Sequence, residues 1–178
     1  VVAPQESYGP TDTARLRQFV QRGGTLVVMS DDNRTNRLLD ELDVETRIDG
    51  RQLRDERENY RSPALPVVTE TLEHPYTEDV DGLMLNYGTA LNVTADSQAF
   101  GSTWEGQYLI NSSGFGYIDR NGNETLDGNE VLRERPVATL EPAGQGEVLV
   151  VSDASVVTNA MLDRSGNQRF VQNLAGTH

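Results

Sequence analysis

The stretch Gly23-Gly24-Thr25-Leu26-Val27-Val28-Met29-Ser30-Asp31-Asp32-Asn33 narrows the possible folds of this chain more than any other. Two glycines stop a helix, a strand follows without polar alternation, and polar residues come at once after it. A strand of that kind is covered on both faces, which is the habit of a parallel sheet held between helices. Ligands of such sheets sit beyond the carboxyl ends of the strands, where Ser30, Asp31 and Asn33 fall. A second run of the same type, Glu147–Val151, follows the turn Gly144-Gln145-Gly146 and ends in Ser152-Asp153. Asp153 is therefore expected near Asp31 at one sheet edge.

The flanking segments fit this frame. Val1–Ala3 reads as a strand. A helix capped at Thr11 carries Leu16, Phe19 and Val20 on one face and stops at Gly23. Asp32 or Asn33 caps a second helix, whose Leu38, Leu39 and Leu42 are its buried face. Val44–Ile48, Leu83–Leu85, Ala90–Val93, Tyr108–Asn111 and Pro136–Leu140 are predicted strands, and Pro63–Thr69 is predicted to be extended. Asp49–Ser62, crowded with Arg, Asp and Glu, reads as a solvated loop or an exposed short helix. A closing helix carries Phe170, Val171 and Leu174. Trp104, the single tryptophan, reads as a packing residue.

The chain has 178 residues, enough for one domain with a sizeable core. It carries 28 acids against 15 bases, a net charge of −13, and every base is Arg. A Lys-free acidic surface resembles that of proteins from extreme halophiles. It repels phosphate backbones and anionic lipid, so nucleic acid is excluded as a partner. With no Cys, disulfides, thiolate metal sites and Cys nucleophiles are excluded together. No run is long enough for a spanning helix. Asn-X-Ser/Thr triplets at Asn33, Asn92, Asn111 and Asn123 fit a chain that faces outward.

A further pattern spans most of the chain. Leu16-Arg17-Gln18-Phe19-Val20 precedes the first glycine-led strand. Glu73-His74-Pro75-Tyr76-Thr77 comes later, then Gly146–Asp153, Asn159 and the Asn167–Asn173 helix. This order resembles a family of envelope-associated domains related in fold to class I glutamine amidotransferases. ThuA-like proteins and auxiliary domains of gliding-type ABC transporters are its relatives. The resemblance implies a flavodoxin-like, three-layer α/β sandwich with a mainly parallel sheet. It also implies membrane anchoring through segments outside residues 1–178. Glutaminase chemistry requires a Cys at the strand-to-helix elbow, and none exists here.

Ser30 is a poor nucleophile on paper. A nucleophile elbow wants small residues two before and two after, and here those are Val28 and Asp32. A Ser also needs a base, and the two His residues are His74, in an acidic Pro turn, and His178, at the last position, with nothing in the sequence to bring His74 to Ser30. Ser30, Asp31 and Asn33 are expected to satisfy backbone groups at the strand exit, and Asp153 to cap the helix that follows it. The same four residues are the candidate ligand site.

Asp119–Glu130 carries the clearest chemical signal. It follows the twelve-residue calcium loop, with oxygen side chains at positions one, three, five, nine and twelve: Asp119, Asn121, Asn123, Asp127 and Glu130. Thr125 stands at position seven, where a backbone carbonyl serves. Position six is normally Gly, and here it is Glu124. The competing reading is an acidic Asn-Gly hairpin tip around Asn121-Gly122.

The sequence thus predicts a single α/β domain over 1–178, with a β-rich insertion at about 97–135 carrying a structural calcium loop. Its predicted role is a non-catalytic, extracytoplasmic, membrane-anchored module. Such a module binds a small-molecule or protein partner and is an auxiliary of an envelope transporter. The alternative is a hydrolase acting on sugars or peptides with Ser30, Asp31 or Asp153 at the sheet edge.

Overall fold

The computed structural model describes residues 1–4, 8–94 and 104–176. The chain runs α1 (Pro10–Gln21), β1 (Thr25–Met29), α2 (Asn36–Glu41), β2 (Thr46–Ile48), β3 (Leu53–Asp55), β4 (Val67–Val68), β5 (Glu70–Thr71) and β6 (Leu83–Met84). It continues through β7 (Leu91–Val93), β8 (Gln107–Asn111), β9 (Gly116–Ile118), β10 (Pro136–Ala143), β11 (Gly146–Val151), α3 (Asn159–Leu162) and α4 (Ser165–Gly176). The main sheet has five strands in the order β1-β11-β10-β8-β5, and three two-stranded ribbons, β2-β7, β3-β9 and β4-β6, pack around it.

The two apolar runs are neighbours, as their composition requires. β1 and β11 pair in parallel, Thr25 opposite Glu147 and Met29 opposite Val151. Val2 extends this corner by a parallel bridge to Val28. Alternate side chains feed two separate cores. Val27, Met29, Leu149 and Val151 join one with Phe170 and Leu174 of α4. Leu26, Val28, Val148 and Val150 join the other with Val20, Leu38 and Leu39. Both faces are covered, so neither strand has a polar face.

The mainly parallel, flavodoxin-like sandwich expected from the sequence is not what forms. Among the described residues, six of the seven strand pairings are antiparallel and only β1-β11 is parallel. The fold is a mixed α/β one, strand-rich and with few helices. The cause is the short turn at Gly144, whose φ is +64. A parallel crossover needs a dozen or more residues, and Ala143-Gly144-Gln145-Gly146 gives too few. β10 and β11 must form a hairpin, and they do, with Ala143 opposite Gly146. β8 and β5 then add antiparallel strands beyond β10. Gln107–Asn111 thus lies in the main sheet, and the following ribbon strand β9 carries the acidic loop.

The charged stretch after Asp49 also departs from expectation. It holds β3, whose Leu53, Arg54 and Asp55 are all buried. Asp55 is tolerated there because its Oδ1 accepts from Arg57 N and Glu58 N, both at 2.8 Å. The same device recurs at Glu141 on β10, which accepts from Glu45 N and Thr46 N at 2.7 Å and so ties the main sheet to β2. Buried carboxylates in this Lys-free chain are held by backbone N–H groups, the pairing that an anion at low dielectric requires.

Candidate functional site

The carboxyl ends of β1 and β11 form one edge. Ser30 N donates to Val151 O at 3.0 Å, which brings Ser30 beside the Ser152-Asp153 exit. Ser30 is buried, and its hydroxyl shares a 2.8 Å hydrogen bond with Thr35 Oγ1 while accepting from Asp32 N at 3.1 Å. Asp32, rather than Asn33, caps the 3₁₀ turn Asn33–Thr35: its Oδ1 accepts from Arg34 N at 2.8 Å. The Arg34 side chain pairs with Asp32 and holds that carboxyl below the ordinary range. Asp31 and Asn33 face solvent, and Asn33 lies against Gly50.

Asp153 is nearly sealed. Its Oδ1 accepts from Ser155 N at 2.7 Å and its Oδ2 from Asn86 N at 2.6 Å. The segment Asn86–Thr89 closes over it: Thr89 N donates to Ser152 O at 3.1 Å, and a Cβ on Gly88 would stand 3.0 Å from Asp153 Cβ. Burial raises the Asp153 carboxyl above the ordinary range, against the pull of these hydrogen bonds, and Asp31 adds like charge. Ser30, Asp31 and Asp153 therefore do share the predicted edge.

His74 does not join them. Its Nδ1 accepts from Tyr76 N at 3.2 Å as the cap of the turn Pro75–Thr77, and its ring lies 4.9 Å from that of Tyr76. Tyr76 in turn donates from its hydroxyl to Glu147 Oε1 at 2.5 Å, and Thr25 Oγ1 donates to the same oxygen at 3.0 Å. Thr25 and Glu147 begin their strands, so this group sits at the amino edge. Five residues of strand at about 3.3 Å each put the two edges roughly 16 Å apart.

Sequence reasoning missed the cleft that opens beside the carboxyl edge, between α1 and the start of α2. It has a volume of about 180 Å³ and is lined by Tyr8, Thr13, Arg17, Asp32, Arg34 and Arg37 among others. The signal was present in Asn33-Arg34-Thr35-Asn36-Arg37, where two basic side chains follow a strand exit. The 3₁₀ turn and α2 place both on the cleft wall.

The acidic loop is mounted on a stiff support. β9 pairs with β3, Leu53 opposite Ile118, and Tyr117, Leu53 and Ile118 are buried. The Tyr117 hydroxyl donates to Glu56 Oε1 at 3.0 Å; burial and that carboxylate push Tyr117 up to about 12. Asp119 follows at once, its N–H bonded to Gln52 O at 3.0 Å.

The loop then folds on its own side chains. Asp119 Oδ1 accepts from Gly122 N at 2.7 Å and Oδ2 from Glu124 N at 2.9 Å. Asn121 Oδ1 accepts from Asn123 N at 3.1 Å, and Asn123 Oδ1 from Thr125 N at 3.0 Å. Both asparagine amides donate to Asp127 Oδ2, at 2.8 and 2.9 Å. Glu130 closes the ring, accepting from Arg120 N at 2.6 Å and Asp127 N at 3.1 Å. Loop positions one, three, five, nine and twelve are thus drawn together. Glu124 adopts φ +65, the left-handed backbone for which Gly is the usual residue. Among the described residues no group of three or more acidic or histidine side chains is arranged to hold a metal. Asp119 and Glu130 spend both oxygens on N–H groups, and Asn121 and Asn123 turn their amide nitrogens to Asp127.

Comparison with known proteins bears on the fold. Solved structures that share it include the mmIFT52 N-terminal domain, at 14% identity and TM-score 0.68, covering 97% of this chain and 72% of that one, and the cytoplasmic protein STM1381 from Salmonella typhimurium LT2, at 14% identity and TM-score 0.55, covering 93% and 59%. No curated protein matches the sequence significantly. The resemblance to glutamine amidotransferase-like, ThuA-like and ABC-transporter auxiliary domains is not upheld by these matches. The strand-helix-glycine pattern that suggested it is shared by many α/β chains and does not separate families. A family model described as "Domain of unknown function (DUF4350)" matches residues 1–175, and the chain belongs to that family.

Proposed function

We propose that this domain is a non-catalytic binding module, with a ligand cleft at the carboxyl edge of β1 and a calcium-binding loop at Asp119–Glu130. One observation carries the non-catalytic reading. Ser30 is bonded to Thr35, and His74, the base a Ser nucleophile needs, is engaged at the opposite edge of the sheet. A buried Asp153 committed to two backbone N–H groups fits a structural cap. The cleft beside it offers Arg37 near apolar walls, with Arg34 held by Asp32 and with Glu41 on the same lining, which suits a small ligand or a partner side chain with one negative group.

The calcium reading rests on the donor set. A hard cation takes six to eight oxygens from a chain wrapped around it. The loop has Asp119, Asp127 and Glu130 as anions, Asn121 and Asn123 as neutral oxygens, and the Thr125 carbonyl. Calcium would replace the amide–Asp127 bonds with direct oxygen contacts. Glu124 in place of Gly leaves affinity weak, about 10⁻⁴–10⁻³ M as in extracellular modules. Bound only by the folded loop, the ion would stabilise the domain by mass action. An outward-facing location agrees with the exposed Asn33, Asn92 and Asn123 of the Asn-X-Ser/Thr triplets.

Calorimetric titration with calcium at constant ionic strength tests the loop: one site in the wild type, and a response at least tenfold weaker in Glu130→Gln. A wild type that takes up no calcium overturns the loop reading. A serine-directed fluorophosphonate tests the rest. It should leave Ser30 unmodified, and stoichiometric labelling there would establish a hydrolase instead.

A further inference from the structure

In a chain with 28 acids and 15 arginines, a buried arginine is expected against a carboxylate. Arg54 meets that expectation, with Glu124 Oε2 3.8 Å from its guanidinium. Arg135 does not. It is 8% exposed, yet it takes part in no ion pair among the described residues. Its Nη2 donates to Val131 O at 3.0 Å, and its Nε has no hydrogen-bond partner. The charges around it are mostly of its own sign. Arg133, Arg120 and Arg51 oppose it, and Asp49 attracts it. Asp49 is already held by Arg51, Nε to Oδ1 at 2.6 Å. Burial first, and then Arg133, push the Arg135 guanidinium down to about 10, which still leaves it cationic at neutral pH. A buried cation without a counterion is strongly unfavourable, and proteins normally supply one.

Arg135 lines a cleft of about 420 Å³ between β7 and the β8-β10 ladder, shared with Asn92, Tyr108, Asn111, Arg133 and Glu134. The cleft lining therefore carries two guanidinium groups, those of Arg135 and Arg133. A single carboxylate would balance one of them and not both. A phosphate, free or as a monoester, carries close to two negative charges near neutral pH and several acceptor oxygens, and so suits two guanidinium groups. We propose that this cleft binds a phosphate group, free or esterified, with Arg135 as its anchor and Arg133 at the rim. This site goes beyond the module described above and is separate from its two sites. Glu134, exposed on the same rim, opposes the anion and limits affinity. The negative charge elsewhere on the chain keeps anions from collecting nonspecifically.

The test is titration of the protein with inorganic phosphate and, separately, phenyl phosphate, followed by phosphorus NMR and calorimetry at constant ionic strength. The wild type should bind one equivalent saturably. Arg135→Gln should bind at least tenfold more weakly. The exposed Arg133→Gln, which does not disturb the core, should bind at least threefold more weakly, and Arg22→Gln, at the exposed C-cap of α1, should match the wild type. Tighter binding of inorganic phosphate identifies a free anion as the ligand, and tighter binding of phenyl phosphate identifies a phosphoester; either supports the site. No saturable binding of either probe by the wild type, or binding that Arg133→Gln leaves unchanged, overturns it.

Discussion

Asp153 and Asp119 are the same chemical device in two settings. Each is a buried carboxylate, 2% and 4% exposed, and each accepts two backbone N–H groups. Asp153 fastens Ser155 in its own turn and Asn86, which lies 67 residues away in sequence. Asp119 fastens only Gly122 and Glu124, three and five residues on. The first holds distant segments of the fold together. The second shapes one loop. Reach along the chain, more than hydrogen-bond count, separates a carboxylate that secures the fold from one that prepares a local site.

The largest effect should follow Asp153→Ala. It orphans two N–H groups, one of them in the segment that closes over the sheet edge, and should cost about 2–4 kcal/mol of global stability by urea melting. Asp119→Ala should cost roughly 1 kcal/mol or less, because water can reach the loop amides once it loosens. Equal losses would remove the distinction.

The pH dependence sharpens it. Folded Asp153 binds its proton more tightly than the unfolded chain does, because burial raises it. Its favourable contribution is complete below about pH 3.9, the unfolded value, and is lost as pH rises through the raised folded value. Asp49 runs the other way. Burial alone would raise it, but the Arg51 hydrogen bond and charge win and hold it low. Its contribution is present above about pH 3.9 and is lost as pH falls through the depressed value. The stability of wild type minus Asp153→Asn should therefore fall with rising pH across the acid range, and that of wild type minus Asp49→Asn should rise. Matching slopes would contradict both assignments.

These contrasts were unevenly legible in the sequence. Thr25–Met29 and Glu147–Val151 were readable because unbroken apolar runs have one common home, a strand covered on both faces. The cap at Asp153 was readable from its place after such a strand. The direction of the sheet is not legible in those two runs; it follows from the brevity of Ala143–Gly146, which forces a hairpin. β3 was hidden because Arg54 and Asp55 look solvated until Pro63, Ser113 and the β9 partner are in place, and those contacts are distant in sequence. The loop was the reverse case. Its spacing was local and visible, and the left-handed Glu124 was foreseeable as the point where the turn must fall.

The smallest expected effect concerns that residue. Glu124→Gly relieves a left-handed side-chain conformation and should stabilise the loop by about 1 kcal/mol, less the loss of the Arg54 contact. Calcium affinity should rise with it. A neutral or negative change would mean that the Arg54 contact outweighs the backbone strain.

The most direct measurement is amide hydrogen exchange with and without calcium at constant ionic strength. If the loop is the cation site, calcium slows exchange at Arg120, Gly122, Glu124 and Asp127, whose N–H groups the loop carboxylates already hold, and leaves Val27–Met29 in β1 unchanged. Loop amides that exchange at the same rate with and without calcium, or a uniform slowing across loop and sheet alike, would contradict the account.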